Sequence, residues 1–117
     1  MIDMTPRRAL AAAIGIVLSA WVSGSSAQQL AKAGAGEIAI ENFTFVPGTL
    51  TVPMGTTVTW TNRDEEPHTI VNSGATRVFK SSALDTDDKF AFTFDKPGIY
   101  QYFCSVHPHM VGIVEVK

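Results

Sequence analysis

Cys104, His107 and Met110 stand at i, i+3 and i+6 near the end of a 117-residue chain. All three are soft or borderline metal ligands, and they fall within one short stretch. A thiolate, an imidazole and a thioether together suit copper, and an ion that cycles between Cu(I) and Cu(II) favours two imidazoles, one thiolate and a weak axial thioether. The second imidazole must come from elsewhere. His68 is the chief candidate and His109 the competitor, since the chain has three histidines. His68 follows Pro67, whose ring fixes its own φ, and heads the apolar run His68-Thr69-Ile70-Val71, so a strand there would mount the ligand rigidly. Plainer readings exist for each residue. A free Cys is commonly a buried structural thiol, Met110 fits the core face of a last strand, His68 fits a hydrogen-bonded strand end, and His109 reads as a solvated loop residue.

The elements that must position these residues read as short strands. Apolar and polar residues alternate around Ile38/Ile40, Val58/Trp60, Phe90/Phe92/Phe94 and Tyr100/Tyr102, the pattern of strands with one buried face. Trp60 and the phenylalanine stripe are core residues on this reading. Pro53-Met54-Gly55 suits a type I turn with Gly at its last position, and Pro97-Gly98 suits a type II turn. No long segment keeps helical spacing. Six to eight strands separated by such turns predict an all-β domain, a β-sandwich or a barrel-like version of one. Cys104, His107 and Met110 then lie in the loop between a strand ending at Phe103 and a strand over Gly112 to Val116. Asp64-Glu65-Glu66 reads as a solvated loop near His68.

Residues 1–27 differ from the rest. Arg7 and Arg8 precede a largely apolar run from Ala9 to Val22, and Ser25-Ser26-Ala27 offers a small-residue cleavage site, the three-part pattern of a secretory signal peptide. As a helix those 14 residues would span about 21 Å, short of the roughly 30 Å hydrocarbon layer, so stable membrane insertion is not expected. The arginine pair leaves a twin-arginine route open beside the general one. Residues 28–36 read as a flexible lead-in, and residues 37–117 as the folded domain. Export sharpens the question of Cys104, because an oxidising compartment favours disulfides and this is the only cysteine. Past residue 27 there are seven basic and ten acidic side chains, a net of −3, which excludes a nucleic-acid surface and strong attraction to anionic lipid. About 90 residues bury one core and leave little room for a deep substrate cleft.

The chain resembles the cupredoxins, the small blue copper proteins, and among them the amicyanin-like members with a short ligand loop; it is also similar to plastocyanin and pseudoazurin. The resemblance runs from about Glu37 to Lys117. It rests on Val58-Thr59-Trp60-Thr61-Asn62-Arg63 leading to Pro67-His68, on Pro97-Gly98-Ile99-Tyr100-Gln101-Tyr102-Phe103-Cys104, and on His107-Pro108-His109-Met110. It implies a Greek-key β-sandwich of seven to eight strands with one type 1 copper at one end, held by His68, Cys104, His107 and, more weakly, Met110. It further implies a monomeric periplasmic protein that passes single electrons between redox partners docking near His107. The chain departs from the family pattern at Val106, where the family usually has Pro, at Thr69, where many members have Asn, and at Glu66 and His109, which replace apolar residues. The Val106 N–H, absent from a proline, is expected to point at the Cys104 sulfur.

Two other functions compete. A copper-delivery protein for an oxidase would present exposed, exchangeable Met/Cys/His clusters, and Met-rich tracts are absent. An enzyme using Cys104 and His107 as nucleophile and base would need a third, orienting group, and none is evident beside the pair. An electron carrier is the expected function, and an enzyme is not.

Overall fold

The computed structural model describes residues 35–117. The expected signal peptide and most of the lead-in lie outside the described residues. Eight strands follow in order: β1 (Ala35–Glu41), β2 (Thr44–Val46), β3 (Thr49–Val52), β4 (Thr56–Asn62), β5 (Val71–Asn72), β6 (Lys89–Phe94), β7 (Gly98–Phe103) and β8 (Val111–Val116). They form two four-stranded sheets, β2-β1-β4-β6 and β3-β8-β7-β5. β1 runs parallel to β4 and β3 parallel to β8, and the remaining pairs are antiparallel. This is the all-β sandwich expected from the alternating pattern. β1 begins at Ala35, two residues ahead of Glu37, because its first residues pair with Thr57 and Val58.

The alternating residues do what their spacing requires, since successive side chains of a strand point to opposite faces. Ile38, Ile40, Val58, Trp60 and Phe94 from one sheet meet Leu50, Val52, Tyr102 and Val114 from the other in a single buried cluster. Trp60 is its centre, with its ring 5.4 Å from Tyr102, 5.6 Å from Phe90 and 5.7 Å from Phe79. Removing about 200 Å² of an aromatic side chain from water stabilises the fold by at most about 5 kcal/mol.

Three local expectations change. Gly55 has φ 88 and the Thr56 N–H donates to the Pro53 carbonyl, so the turn carries Gly at its third position with the left-handed φ of type II rather than type I. Gly98 is the opening residue of β7 with φ 153 and makes no type II turn. The third change concerns His68. It heads no regular strand, because only Val71–Asn72 is strand and His68 pairs through an isolated bridge with Leu84. The reason is visible in the amides: the Thr69 N–H donates to Cys104 Sγ and the Ile70 N–H to Ser81 Oγ, which diverts both from a ladder.

The β1–β2 connection is a two-residue hairpin loop, Asn42-Phe43, closed by the Glu41–Thr44 pair. Both loop residues have positive φ, 54 and 58, as a type I′ turn demands.

Candidate metal centre

His68, Cys104 and His107 converge at one end of the sandwich. The Nδ1 atoms of both imidazoles lie 3.8 Å from Cys104 Sγ, and all three ligand atoms lie within 4.8 Å of one another. A metal about 2.0 to 2.1 Å from nitrogen and about 2.3 Å from sulfur would separate those atoms by roughly 3.5 to 3.8 Å at tetrahedral to trigonal angles. Both sulfur–nitrogen separations therefore suit a shared metal ion. Met110 is buried in the core beside them, and His109 is exposed.

Two segments build this end. The first is the turn from β7 to β8. Cys104 N–H donates to the Met110 carbonyl (3.1 Å) and Met110 N–H to the His107 carbonyl (2.9 Å), so the loop is closed on itself. The second is the Pro67–Ile70 segment. His68 exchanges two backbone hydrogen bonds with Leu84 (3.1 and 2.7 Å), and Asn62, fully buried at the end of β4, donates from Nδ2 to the carbonyls of Glu66 and Leu84. The same Asn62 accepts the Asp64 N–H at Oδ1. Thr69 ties the two segments together: its Oγ1 accepts the Ser105 N–H at 2.7 Å while its own N–H lies 3.4 Å from Sγ.

Asp64 is not the solvated residue that its acidic neighbours suggest. Its carboxylate accepts the N–H groups of Asn42 (2.6 Å) and Phe43 (2.8 Å) and faces His68 Nε2 at 2.8 Å. Burial acts to raise its pKa, but those two amides and the imidazole outweigh it and hold the carboxyl below its ordinary value. An ionised acceptor at Nε2 places the imidazole proton there and leaves Nδ1 bare toward the sulfur. This orienting carboxylate was missed from sequence, where its signal is only a carboxylate four residues before the histidine.

Cys104 follows the same logic. Burial alone would push the thiol up, yet the Thr69 N–H, the His68 and His107 imidazoles and the His107 backbone bring it down to about 6 from 9.0. The site thus favours a thiolate at neutral pH, the form that binds metals. Val106, by contrast, is exposed, and its N–H makes no hydrogen bond to Sγ. The backbone amides that support the sulfur are instead those of Thr69 and His107.

A β-sandwich of two mixed sheets with an N₂S donor set gathered at one end defines a class, and residues 32–117 match the family of copper binding proteins, plastocyanin/azurin family. The chain belongs to that family and is a cupredoxin. It is 32% identical over 94 residues to amicyanin-alpha of Methylorubrum extorquens, covering 78% of this chain and 79% of that protein. Among solved structures it resembles a purple cupredoxin from Nitrosopumilus maritimus (TM-score 0.66, 37% identity, 70% of this chain and 99% of that one). It also resembles a reduced tryptophan-to-tyrosine variant of amicyanin (TM-score 0.68, 30% identity, 72% and 83%). Its cofactor is copper.

Proposed function

We propose that His68, Cys104, His107 and, more weakly, Met110 hold one copper ion and that the protein carries single electrons between redox partners in the periplasm. Bound copper supplies the one-electron Cu(I)/Cu(II) couple. The chain's own residues do the rest. Asp64 orients His68, the Thr69 N–H supports charge on the Cys104 sulfur, and the self-closed loop keeps His107 and Met110 at a fixed reach from that sulfur. The observation that carries the reading is the pair of Nδ1 atoms equidistant from one thiolate sulfur, in a chain of the plastocyanin/azurin family.

His68 is fully buried while His107 is partly exposed in the loop beside Pro108, so partners dock near His107 and electrons leave through its ring. Burial of both His68 and Cys104 weighs against a copper-delivery role, which needs ligands a recipient can reach. Membership of the plastocyanin/azurin family speaks for a carrier and not an enzyme. Export by the segment 1–27, with 37–117 as the working domain, completes the reading.

The test is the visible spectrum of the copper-loaded protein. Sulfur-to-copper charge transfer should colour the Cu(II) form intensely blue, reduction should bleach it, and Cys104→Ser should abolish the band. A colourless Cu(II) form, or a serine variant that keeps the band, would overturn the assignment.

A further inference from the structure

Phe43 occupies a position where its residue type is locally wrong. It is the second residue of a two-residue hairpin loop with φ 58, a conformation that Gly or Asn adopts readily and a bulky side chain does not. The residue is 40% exposed, where a loop tip ordinarily carries a polar residue. Strain of this kind persists when surrounding structure enforces it, and here Asp64 does so by accepting the Phe43 and Asn42 amides.

What the strained residue touches gives the reason. The Phe43 ring stands nearly perpendicular to both imidazoles, 5.3 Å from His68 at 88° and 5.0 Å from His107 at 84°, while the imidazoles are 5.0 Å from each other. Three rings thus form a closed triangle with nearly equal sides. Edge-to-face packing at these distances is favourable and directional. His68 needs no such help, since it is fully buried and held by Leu84 and Asp64. His107 does. It lies on a turn whose neighbours Val106 and Pro108 are exposed, and among the described residues no hydrogen bond other than the long contact to Cys104 Sγ fixes its ring.

We propose that Phe43 is a positioning residue that wedges the His107 ring against His68, so that the metal-binding imidazole pair is preformed before any ion arrives. The wedge is held by the carboxylate that also orients His68. One side chain, Asp64, therefore sets both imidazoles: His68 directly and His107 through Phe43. The inference rests on His68 and His107 being the metal ligands, but its decisive readouts are taken on the metal-free protein.

The experiment compares Phe43→Gly with Phe43→Leu and Phe43→Tyr. Glycine relieves the turn, so the metal-free Phe43→Gly protein should melt at the same temperature as the parent or higher. Its His68–His107 inter-ring nuclear Overhauser contacts should weaken at least twofold, and loaded with Cu(II) it should take up azide at concentrations the parent ignores. Phe43→Tyr keeps the ring and should retain the inter-ring contacts and exclude azide. Phe43→Leu keeps bulk without an aromatic edge and should behave like glycine at the imidazoles. A glycine variant that melts lower with the inter-ring contacts intact would show Phe43 to be ordinary packing and overturn the proposal. Should glycine fail to fold, the leucine variant decides by the same contacts. If the parent itself shows no charge-transfer band with copper, the ligand assignment fails, whereas the metal-free contacts still report on the wedge.

Discussion

Replacing Asp64 by Asn removes one negative charge beside His68 while keeping the side chain's shape. Cu(II) carries one more positive charge than Cu(I), so an ionised carboxylate nearby favours the oxidised form, and its loss should raise the reduction potential. The separation can be worked from the structure. Oδ2 lies 2.8 Å from Nε2. The ring adds about 2.2 Å and a metal–nitrogen bond about 2.0 Å, placing the charge roughly 7 Å from the ion. At an effective dielectric of about 20, a unit charge at that distance is worth about 2.4 kcal/mol. For a one-electron couple this corresponds to about 100 mV. Asp64 is 11% exposed, so salt screens it little. Voltammetry of the parent and Asp64→Asn proteins, both checked for an intact blue band, measures the shift. A potential that stays within about 20 mV of the parent, or falls, would refute an ionised Asp64 acting on the metal through His68.

Val106→Pro should leave the potential within about 20 mV of the parent, less than a lost hydrogen bond to sulfur would produce, because the Val106 N–H does not reach Sγ. In the metal-free protein the Cys104 thiol titrates near 6 against 9.0 ordinarily. Its contribution to stability is therefore fully present above about pH 9 and is lost as pH falls through 6. Denaturant unfolding of that form should show stability rising with pH across this window, and Cys104→Ser should flatten the rise. Thr69→Ala should lower stability by about 1 kcal/mol, since it removes the acceptor of the Ser105 N–H, readable as a shift in the denaturant midpoint. Gly112→Ala drives a Cβ into the Tyr102 hydroxyl and ring, so it should reduce stability by about 1 to 3 kcal/mol in thermal melts.

Much of this is legible in the sequence. The period-two runs around Trp60, Phe94 and Tyr102 announce strands because burial on one face dictates them, and the ligand loop is visible because its chemistry is contiguous. His68 was legible as a member of the cluster and misleading as a strand head, since its neighbours' amides are spent on side chains 35 and 11 residues away. Asp64 and Phe43 were opaque for a related reason. One sits in an acidic run and the other in a hairpin tip, and each acquires its meaning only from partners that the fold brings from a different strand connection. The turn at Gly55 was placed correctly and typed wrongly, as φ signs follow from local sterics that a Pro-x-Gly string does not determine alone.

Cys104, His107 and Met110 come together by closing a single turn, whereas His68 joins them only when a segment 36 residues earlier has docked through Leu84. Colour can therefore serve as a clock for folding. A refolding chain should acquire the soft trio almost as soon as its last hairpin forms, and such a species would meet Cu(II) without the second imidazole and without the full blue band. The full band would appear only with the slow, long-range closure between the two sheets. Stopped-flow absorbance during refolding in the presence of Cu(II) would time that final event optically, with no probe attached to the protein.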